Sequence, residues 1–136
     1  MRVVLDTNVL VSAALTPGGP AHQVIQMAFR GDLQLCVNTR MVAEYREVLT
    51  RGRFSLSPGW VDGFLEALLV ESQEVLTGPV EGRFPDETDR PFVEAAVAGR
   101  VEVLITGNVK HLQVAKKYGI SVQTPVEFLS SWWRNR

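Results

Sequence analysis

The first side chain in the sequence that could do chemistry is Asp6, which directly follows a short apolar run at residues 3–5. Such a run is typical of a strand buried on both faces in a parallel sheet. Ligands of open parallel sheets bind beyond the carboxyl ends of the strands, so we expect Asp6 to point into a site. Asp6, Thr7 and Asn8 are also ordinary turn residues, and a purely local role for them is the alternative.

Further carboxylates occur where the predicted elements open to ligand. On a helical wheel Glu44 lies about 60° from Met41, at the border of the apolar stripe, whereas Glu47 lies about 60° further out. Asp86 and Asp89 fall in an acidic loop that leads into a helix. The alternatives are an exposed helix glutamate at position 44 and a simple helix N-cap at position 89.

Several carboxylates at one edge of a sheet indicate a divalent cation, because their mutual repulsion is costly unless a cation lies between them. Ligands that are all oxygen favour Mg²⁺ or Mn²⁺, and these ions commonly also bind substrate phosphate. Such an ion polarises a phosphoryl group and helps to deprotonate an attacking water. The acids therefore predict hydrolysis of a phosphate ester.

The basic residues are mainly arginines, 11 of 14, although the formal net charge is −1. That net charge argues against a protein that coats nucleic acid. Arg40, Arg46, Arg51 and Arg53 gather in one segment, and the guanidinium fork suits phosphate. We predict Arg46 and Arg51 as phosphate contacts; the alternative is a solvated helix face.

The elements that must position these side chains alternate between strand and helix. This alternation predicts a parallel sheet with right-handed crossovers, and so a three-layer α/β/α sandwich. Breaker residues and caps separate the elements. The predicted strands are 3–5, 33–37, 73–76, 101–105 and 120–122, and the predicted helices are 21–30, 39–51, 58–69, 92–98, 109–117 and one that begins at 125.

Length and composition limit the class of protein. The 136 residues, 46% of them apolar, fit one domain over 1–136. No apolar run reaches the length of a membrane span and no secretory signal pattern opens the chain, so we expect a cytoplasmic location and no membrane partner. Cys36 is the single cysteine, which excludes an internal disulfide, and with two histidines there is no zinc-type cluster.

The sequence resembles the PIN domain family, and within it the bacterial and archaeal branch described as toxin components of toxin and antitoxin pairs. The resemblance covers nearly the whole chain. Its carriers, in chain order, are LDTNVLVS at 5–12, AEYREVL at 43–49, DETD at 86–89 with Phe92, ITGN at 105–108 and TPVEFL at 124–129.

The resemblance implies a central sheet of about five parallel strands and a metal-dependent ribonuclease that uses Mg²⁺ or Mn²⁺, with RNA as substrate and an antitoxin protein as partner. It also implies the roles of individual residues. By position, the metal-binding acids are Asp6, Glu44 and Asp89, with Asp86 a further acid nearby. Asn8 and Thr106 match supporting positions, which orient the carboxylates or the bound water.

One position departs from the family pattern. Where the family usually has a catalytic acid after Thr-Gly, this chain has Asn108, whose amide oxygen carries no charge. A module of the same fold that binds RNA or a protein, with weak or no catalysis, is therefore the alternative. A phosphoaspartyl phosphatase or receiver domain fits less well, because Asn8 stands where such a phosphatase has its second Asp.

Two adjacent tryptophans near the end of the last helix predict an interaction surface. Neighbouring positions on a helix point about 100° apart, so one of Trp132 and Trp133 can pack inward while the other is exposed. We therefore predict self-association or binding of a partner through this region, with burial of both rings as the alternative.

Overall fold

The computed structural model describes residues 1–80 and 82–135, and at its centre these form a parallel sheet of five strands in the order β3-β2-β1-β4-β5. Every neighbouring pair is parallel, with β1 between β2 and β4. The strands are β1 (Arg2–Leu5), β2 (Gln34–Val37), β3 (Ser72–Glu74), β4 (Val103–Ile105) and β5 (Ser121–Gln123).

Helices cover both faces of this sheet, which confirms the predicted α/β/α architecture. They are α1 (Thr7–Leu15), α2 (Pro20–Phe29), α3 (Thr39–Leu49), α4 (Pro58–Val70), α5 (Arg90–Ala98) and α6 (Pro125–Arg134). Three further segments have 3-10 geometry, namely Gly52–Phe54, Glu87–Asp89 and Val109–Tyr118.

The core lies where β1 is covered by helices. Val3, Val4 and Leu5 are all buried, as expected for a central strand with two covered faces. Cys36 on β2 is fully buried and is part of the core. It packs where α5 ends, because a Cβ added to Gly99 would lie 3.0 Å from the Cys36 sulfur and 2.9 Å from the Ala95 carbonyl oxygen.

Several predicted boundaries were wrong by one or two residues. The fourth strand begins at Val103 rather than at 101, because the Val101 N–H still donates to the Ala96 carbonyl in the turn that ends α5. The third strand ends at Glu74, and Leu76 is 97% exposed. Helix α3 ends at Leu49 rather than at 51.

Two segments differ in kind from the prediction. The chain enters α1 directly at Thr7, and this helix was not among those predicted from the sequence. The predicted helix 109–117 is a 3-10 segment, Val109–Tyr118, interrupted by the non-helical backbone of Leu112 at φ −112° and ψ 16°.

The last helix, α6, starts with a capping box in which Thr124 and Glu127 satisfy each other's backbone N–H groups. Trp132 packs against the core, with its ring centroid 6.1 Å from that of Phe128, whereas Trp133 is 67% exposed. One tryptophan thus faces inward and one outward, as predicted. Over the described parts of the chain, every helix is too short or too polar to cross a membrane.

Candidate metal and catalytic site

Asp6 stands at the carboxyl end of β1, where its side chain is fixed by three donors. Oδ1 accepts from the Thr7 N–H at 2.8 Å, and Oδ2 accepts from the Thr106 hydroxyl at 2.8 Å and from Asn8 Nδ2 at 3.2 Å. Thr106 reaches Asp6 because it follows β4, which pairs with β1 from Val3 to Leu5. The carboxylate is therefore held in one orientation from both its own helix and the adjacent strand.

Asn8 connects α1 to the turn after β4. Its Oδ1 accepts from the Gly107 N–H at 2.8 Å while its Nδ2 donates to Asp6. A Cβ at Gly107 would lie 3.3 Å from the same Oδ1, tighter than most contacts of this kind, so the close approach favours glycine there. Asn8 and Thr106 both touch the carboxylate that the sequence predicted they would orient.

Glu44 reaches the same region from α3 and is half-buried, whereas Glu47 is exposed, as the helical wheel predicted. The hydroxyl of Thr7 donates a hydrogen bond to Glu44 Oε2. The neighbouring Tyr45 is buried, and its hydroxyl donates to the Leu5 carbonyl at 2.5 Å, which ties α3 to the end of β1. Sequence reasoning missed the role of Thr7, whose position between Asp6 and Asn8 was its only signal.

The loop acids form a second group with a histidine. Asp86, Asp89 and His111 each offer one ligand atom, and these atoms lie within 4.8 Å of one another. Asp86 Oδ1 accepts from the Thr88 N–H and hydroxyl, at 2.9 and 2.7 Å. His111 was not predicted, and its place three residues after Asn108 was the only indication in the sequence.

Asp89 occupies the N-cap position of α5, but its side chain makes no capping hydrogen bond there. Its Oδ2 is buried and is without a hydrogen-bond partner among the described residues. A simple N-cap role therefore does not account for this carboxylate. Its free oxygen lacks the partner that a buried polar atom normally has.

The electrostatics of the acids connect the two groups. Burial, together with the negative charges of Asp6 and Asp86, raises the pKa of Asp89 to about 6. Burial also raises the pKa of Asp6, against the hydrogen bond from Thr106, and that of Glu44, against the hydrogen bond from Thr7. Each acid thus loses hydration or meets like charge in its ionised form, which a bound cation would relieve.

These residues fit a divalent cation. Their donor atoms are carboxylate and amide oxygens with one imidazole, and the unpartnered Oδ2 of Asp89 is the kind of buried oxygen that a metal ion satisfies. Asn108 lies beside them at the N-cap of the 3-10 segment Val109–Tyr118. Its backbone N–H donates to the Thr106 hydroxyl at 3.0 Å, and its side chain makes no capping hydrogen bond.

The arginines differ in what they face. Arg46 pairs with Asp62 on α4, away from the acids. Arg51 pairs with Glu47 at 3.0 Å and lies close enough to Glu44 to lower the pKa of that carboxyl slightly against the effect of burial. Sequence reasoning placed Arg53 in the basic segment but did not assign it to the site.

A groove of about 340 Å³ runs from the first acid to the basic segment. The guanidinium of Arg53 lies 4.8 Å above the ring centroid of Phe54 at one end of it, so a cation and an aromatic face stand together. The lining includes Asp6, Thr7, Asn8, Val48, Arg53 and Phe54.

Comparison with known proteins shows the family to which the chain belongs. A family model described as "PIN domain" matches residues 2–110, which is most of the chain. The chain belongs to the PIN domain family. The PIN match includes the loop acids, Thr106, Asn108 and the strands that place them, but ends one residue before His111.

The PIN fold of the chain is also similar to a solved structure. One chain in the crystal structure of VapBC2 from Rickettsia felis, bound to a DNA fragment from their promoter, superimposes with a TM-score of 0.62. The match covers 91% of this chain and 98% of that one at 13% sequence identity, so it bears on the fold alone. No curated protein matches the sequence significantly.

Proposed function

We propose that this PIN domain, spanning residues 1–136, is a metal-dependent endoribonuclease that acts in the cytoplasm. The observation that carries the proposal is the Asp6 carboxylate, held by Thr7, Asn8 and Thr106 and facing a second group of acids that includes an unpartnered buried oxygen of Asp89. Orienting donors around one carboxylate are typical of the second shell of metal ligands.

Asp6, Glu44, Asp86 and Asp89 would hold Mg²⁺ or Mn²⁺, with the uncharged amide of Asn108 beside them. When bound, the ion supplies Lewis-acid stabilisation of phosphoryl charge and makes water more acidic. The protein contributes orientation: Thr106 and Asn8 fix Asp6, and Thr7 fixes Glu44. These contacts preset the ligand geometry before substrate arrives.

RNA would enter along the groove that runs from Asp6 to Phe54. Arg53 and Arg51 are the proposed phosphate contacts, because a guanidinium binds phosphate with two parallel hydrogen bonds. The Phe54 ring offers a surface on which an unpaired base can stack. Arg46 is a weaker candidate than it was from sequence, because its ion pair with Asp62 directs it towards α4, whereas Arg51 lies close enough to Glu44 to influence its pKa. We choose RNA as the substrate because the family resemblance implies ribonuclease activity.

A protein partner of the antitoxin class is part of the proposal. The branch of PIN proteins that the sequence resembles supports it, and so does the likeness to a VapBC2 chain. Large apolar side chains are exposed on separate helices, including Trp60 on α4 and Trp133 on α6. The alternative is that the chain self-associates through these same side chains. Light scattering at several protein concentrations distinguishes self-association from binding of a different protein.

A non-catalytic PIN module that binds RNA or protein is the second candidate, and Asn108 favours it. Cleavage of structured and single-stranded RNA, measured with Mn²⁺, Mg²⁺ or chelator, decides between the two. We expect cleavage with metal, none with chelator, and none from Asp6→Asn protein. RNA binding without metal-dependent cleavage would instead support the module.

A further inference from the structure

The weakest point of the proposed cation site is position 108. The corresponding position in the resembling family usually carries an acid, and here the side chain is a neutral amide. A site that lacks one carboxylate loses part of its attraction for a hard cation, because ligand charge sets much of the affinity for such ions. Some other group must make up for it if the site binds metal at ordinary concentrations.

We infer that His111 supplies the ligand that Asn108 does not, so that the cation site is formed by carboxylate oxygens and one imidazole nitrogen. This inference rests on the proposed function, since it assumes that the acids hold a metal. It assigns to His111 a role that would change which metal the site prefers.

Backbone geometry places His111 one turn after position 108. Asn108 is the N-cap of the segment Val109–Tyr118, which begins as a 3-10 helix. The His111 N–H donates to the Asn108 carbonyl at 3.2 Å, the hydrogen bond between residues three apart that is typical of this helix. His111 therefore lies close to the backbone of Asn108, and its side chain is the longer of the two.

Side-chain geometry brings the imidazole to the acids. A ring nitrogen of His111 and one carboxylate oxygen from each of Asp86 and Asp89 lie within 4.8 Å of one another, the spacing expected of ligands that share one ion. His111 is exposed, so its ring is open to solvent and to a metal ion in solution.

The influence of His111 also extends to Asp6 on the other side of the site. Burial dominates the pKa of Asp6 and of Asp89, and hydrogen bonds from Thr88 dominate that of Asp86. His111 adds a lowering influence on the pKa of all three carboxyls. His111 thus acts on the loop acids and also on Asp6 at the end of β1, so it lies near the point where these two parts of the chain meet.

The chemistry of the ligand gives the inference a distinct consequence. Imidazole suits later first-row metals, whereas sets made only of oxygen suit Mg²⁺. Affinity for Co²⁺ should therefore depend on His111 much more than affinity for Mg²⁺ does. An aspartate at position 108 would have the opposite preference.

The test is metal binding, measured by calorimetry with Co²⁺ and with Mg²⁺, on purified wild type and five variants, which include Asn108→Asp alone and combined with His111→Ala. His111→Ala and His111→Gln should each weaken Co²⁺ binding by about tenfold or more, the scale on which metal-site residues matter. His22→Gln replaces the other histidine of the chain, which lies on α2, and should leave the affinity for both metals unchanged. Asn108→Asp in the His111→Ala background should restore binding, with a preference for Mg²⁺.

A spectroscopic readout accompanies the titrations. In Co²⁺-loaded wild type, the ring N–H proton of a coordinated imidazole gives a strongly shifted proton NMR signal. We expect this signal to be lost in His111→Ala and kept in His22→Gln. Asn108→Asp should also strengthen metal binding more in the His111→Ala background than in wild type, because two ligands that share one coordination position are not additive.

The outcomes separate the two proposals. If wild type binds Co²⁺ and cleaves RNA, but His111→Ala and His111→Gln retain the affinity and the shifted signal, His111 is not a ligand and the nuclease proposal stands. If the effects of the changes at 108 and 111 on metal affinity are additive, the two residues do not share one coordination position, and the inference is also overturned. If wild type binds none of these metals and leaves RNA intact, both proposals fail.

Discussion

Thr7 donates its hydroxyl hydrogen bond to Oε2 of Glu44, while its backbone N–H donates to Oδ1 of Asp6. One residue therefore joins carboxylates from the end of β1 and from α3. The two contacts use different atoms of Thr7, so a substitution can remove the first and leave the second. Few positions in the chain allow the alignment of one acid to be changed so selectively.

Thr7→Val should lower metal affinity and RNA cleavage by about ten- to a hundredfold, the range measured for residues that orient metal ligands. The free energy of unfolding should change by only about 1 kcal/mol, because half-buried Glu44 can still contact water. Thr7→Ser keeps the hydroxyl and should retain most of the metal affinity and most of the RNA cleavage. A Thr7→Val protein that cleaves like wild type would show that this hydrogen bond has no part in function.

Asp6→Asn should abolish cleavage, by more than about a hundredfold, since Asp6 is proposed as a direct ligand and even orienting residues are worth ten- to a hundredfold. The fold should survive because asparagine also caps a helix N-terminus well. In chelator the variant should unfold at an equal or higher denaturant concentration than wild type, because burial disfavours the Asp6 charge. Asp6→Ala is the comparison, and it should lose stability through loss of the cap.

Asp89 should make the stability of the metal-free protein depend on pH. Its pKa is raised from 3.8 to about 6, so between those values the folded protein binds more protons than the unfolded chain does. The contribution of the protonated carboxyl is fully present below about pH 3.8 and is lost as pH rises through about 6.

Asp89→Asn removes this dependence, so its stability relative to wild type should grow from pH 4 to pH 7 in chelator. Urea unfolding at several pH values measures the difference. Protons compete with metal for the same carboxyl, so wild-type metal affinity should rise across the window. If the difference in the free energy of unfolding between the two proteins is the same at every pH, the pKa of Asp89 is not raised by folding.

Arg53 and Arg46 offer a matched pair for substrate binding. Arg53 lines the groove beside Asp6, whereas Arg46 pairs with Asp62 on the side facing α4. Arg53→Gln should weaken RNA binding and reduce the slope of log affinity against log salt by about 1, as expected for one lost phosphate contact. Arg46→Gln should leave that slope unchanged. The reverse pattern would move the RNA path to α4.

Two glycines should respond in opposite directions to the same change. Gly99→Ala would place a Cβ 2.9 Å from the Ala95 carbonyl oxygen and 3.0 Å from the Cys36 sulfur, and should destabilise by about 1–3 kcal/mol. Gly63→Ala adds a methyl group to the interior of α4 with nothing within 4 Å, and should stabilise by about 1 kcal/mol. Thermal or urea unfolding measures both. If both substitutions changed the free energy of unfolding in the same direction, the close packing at Gly99 would be contradicted.

The sequence predicted the architecture because most strands and helices have their own local pattern. It singled out Asp6 after an apolar run, Glu44 at the border of a helical stripe and Asp89 in an acidic loop before a helix, and the family resemblance implied their metal-binding roles. It did not reveal contacts between residues far apart in the chain. The Thr7 bond to Glu44 and the approach of His111 to Asp86 depend on packing, and no pattern within a single segment encodes them. The pairing of Arg46 with Asp62 was hidden for the same reason.

The parallel pairing of β1 with β4 has a consequence for how the protein is made. Asp6 is synthesised 100 residues before Thr106, whose hydroxyl holds its carboxylate. Thr106 follows β4, so this hydrogen bond can form only after β4 has been made and has paired with β1. A ribosome-bound chain that ends before residue 106 has the first acid but not its alignment, and long-range parallel pairing of this kind forms late. Under the proposed function, a growing chain stays harmless to the RNA around it until β4 and Thr106 have been made and have joined β1.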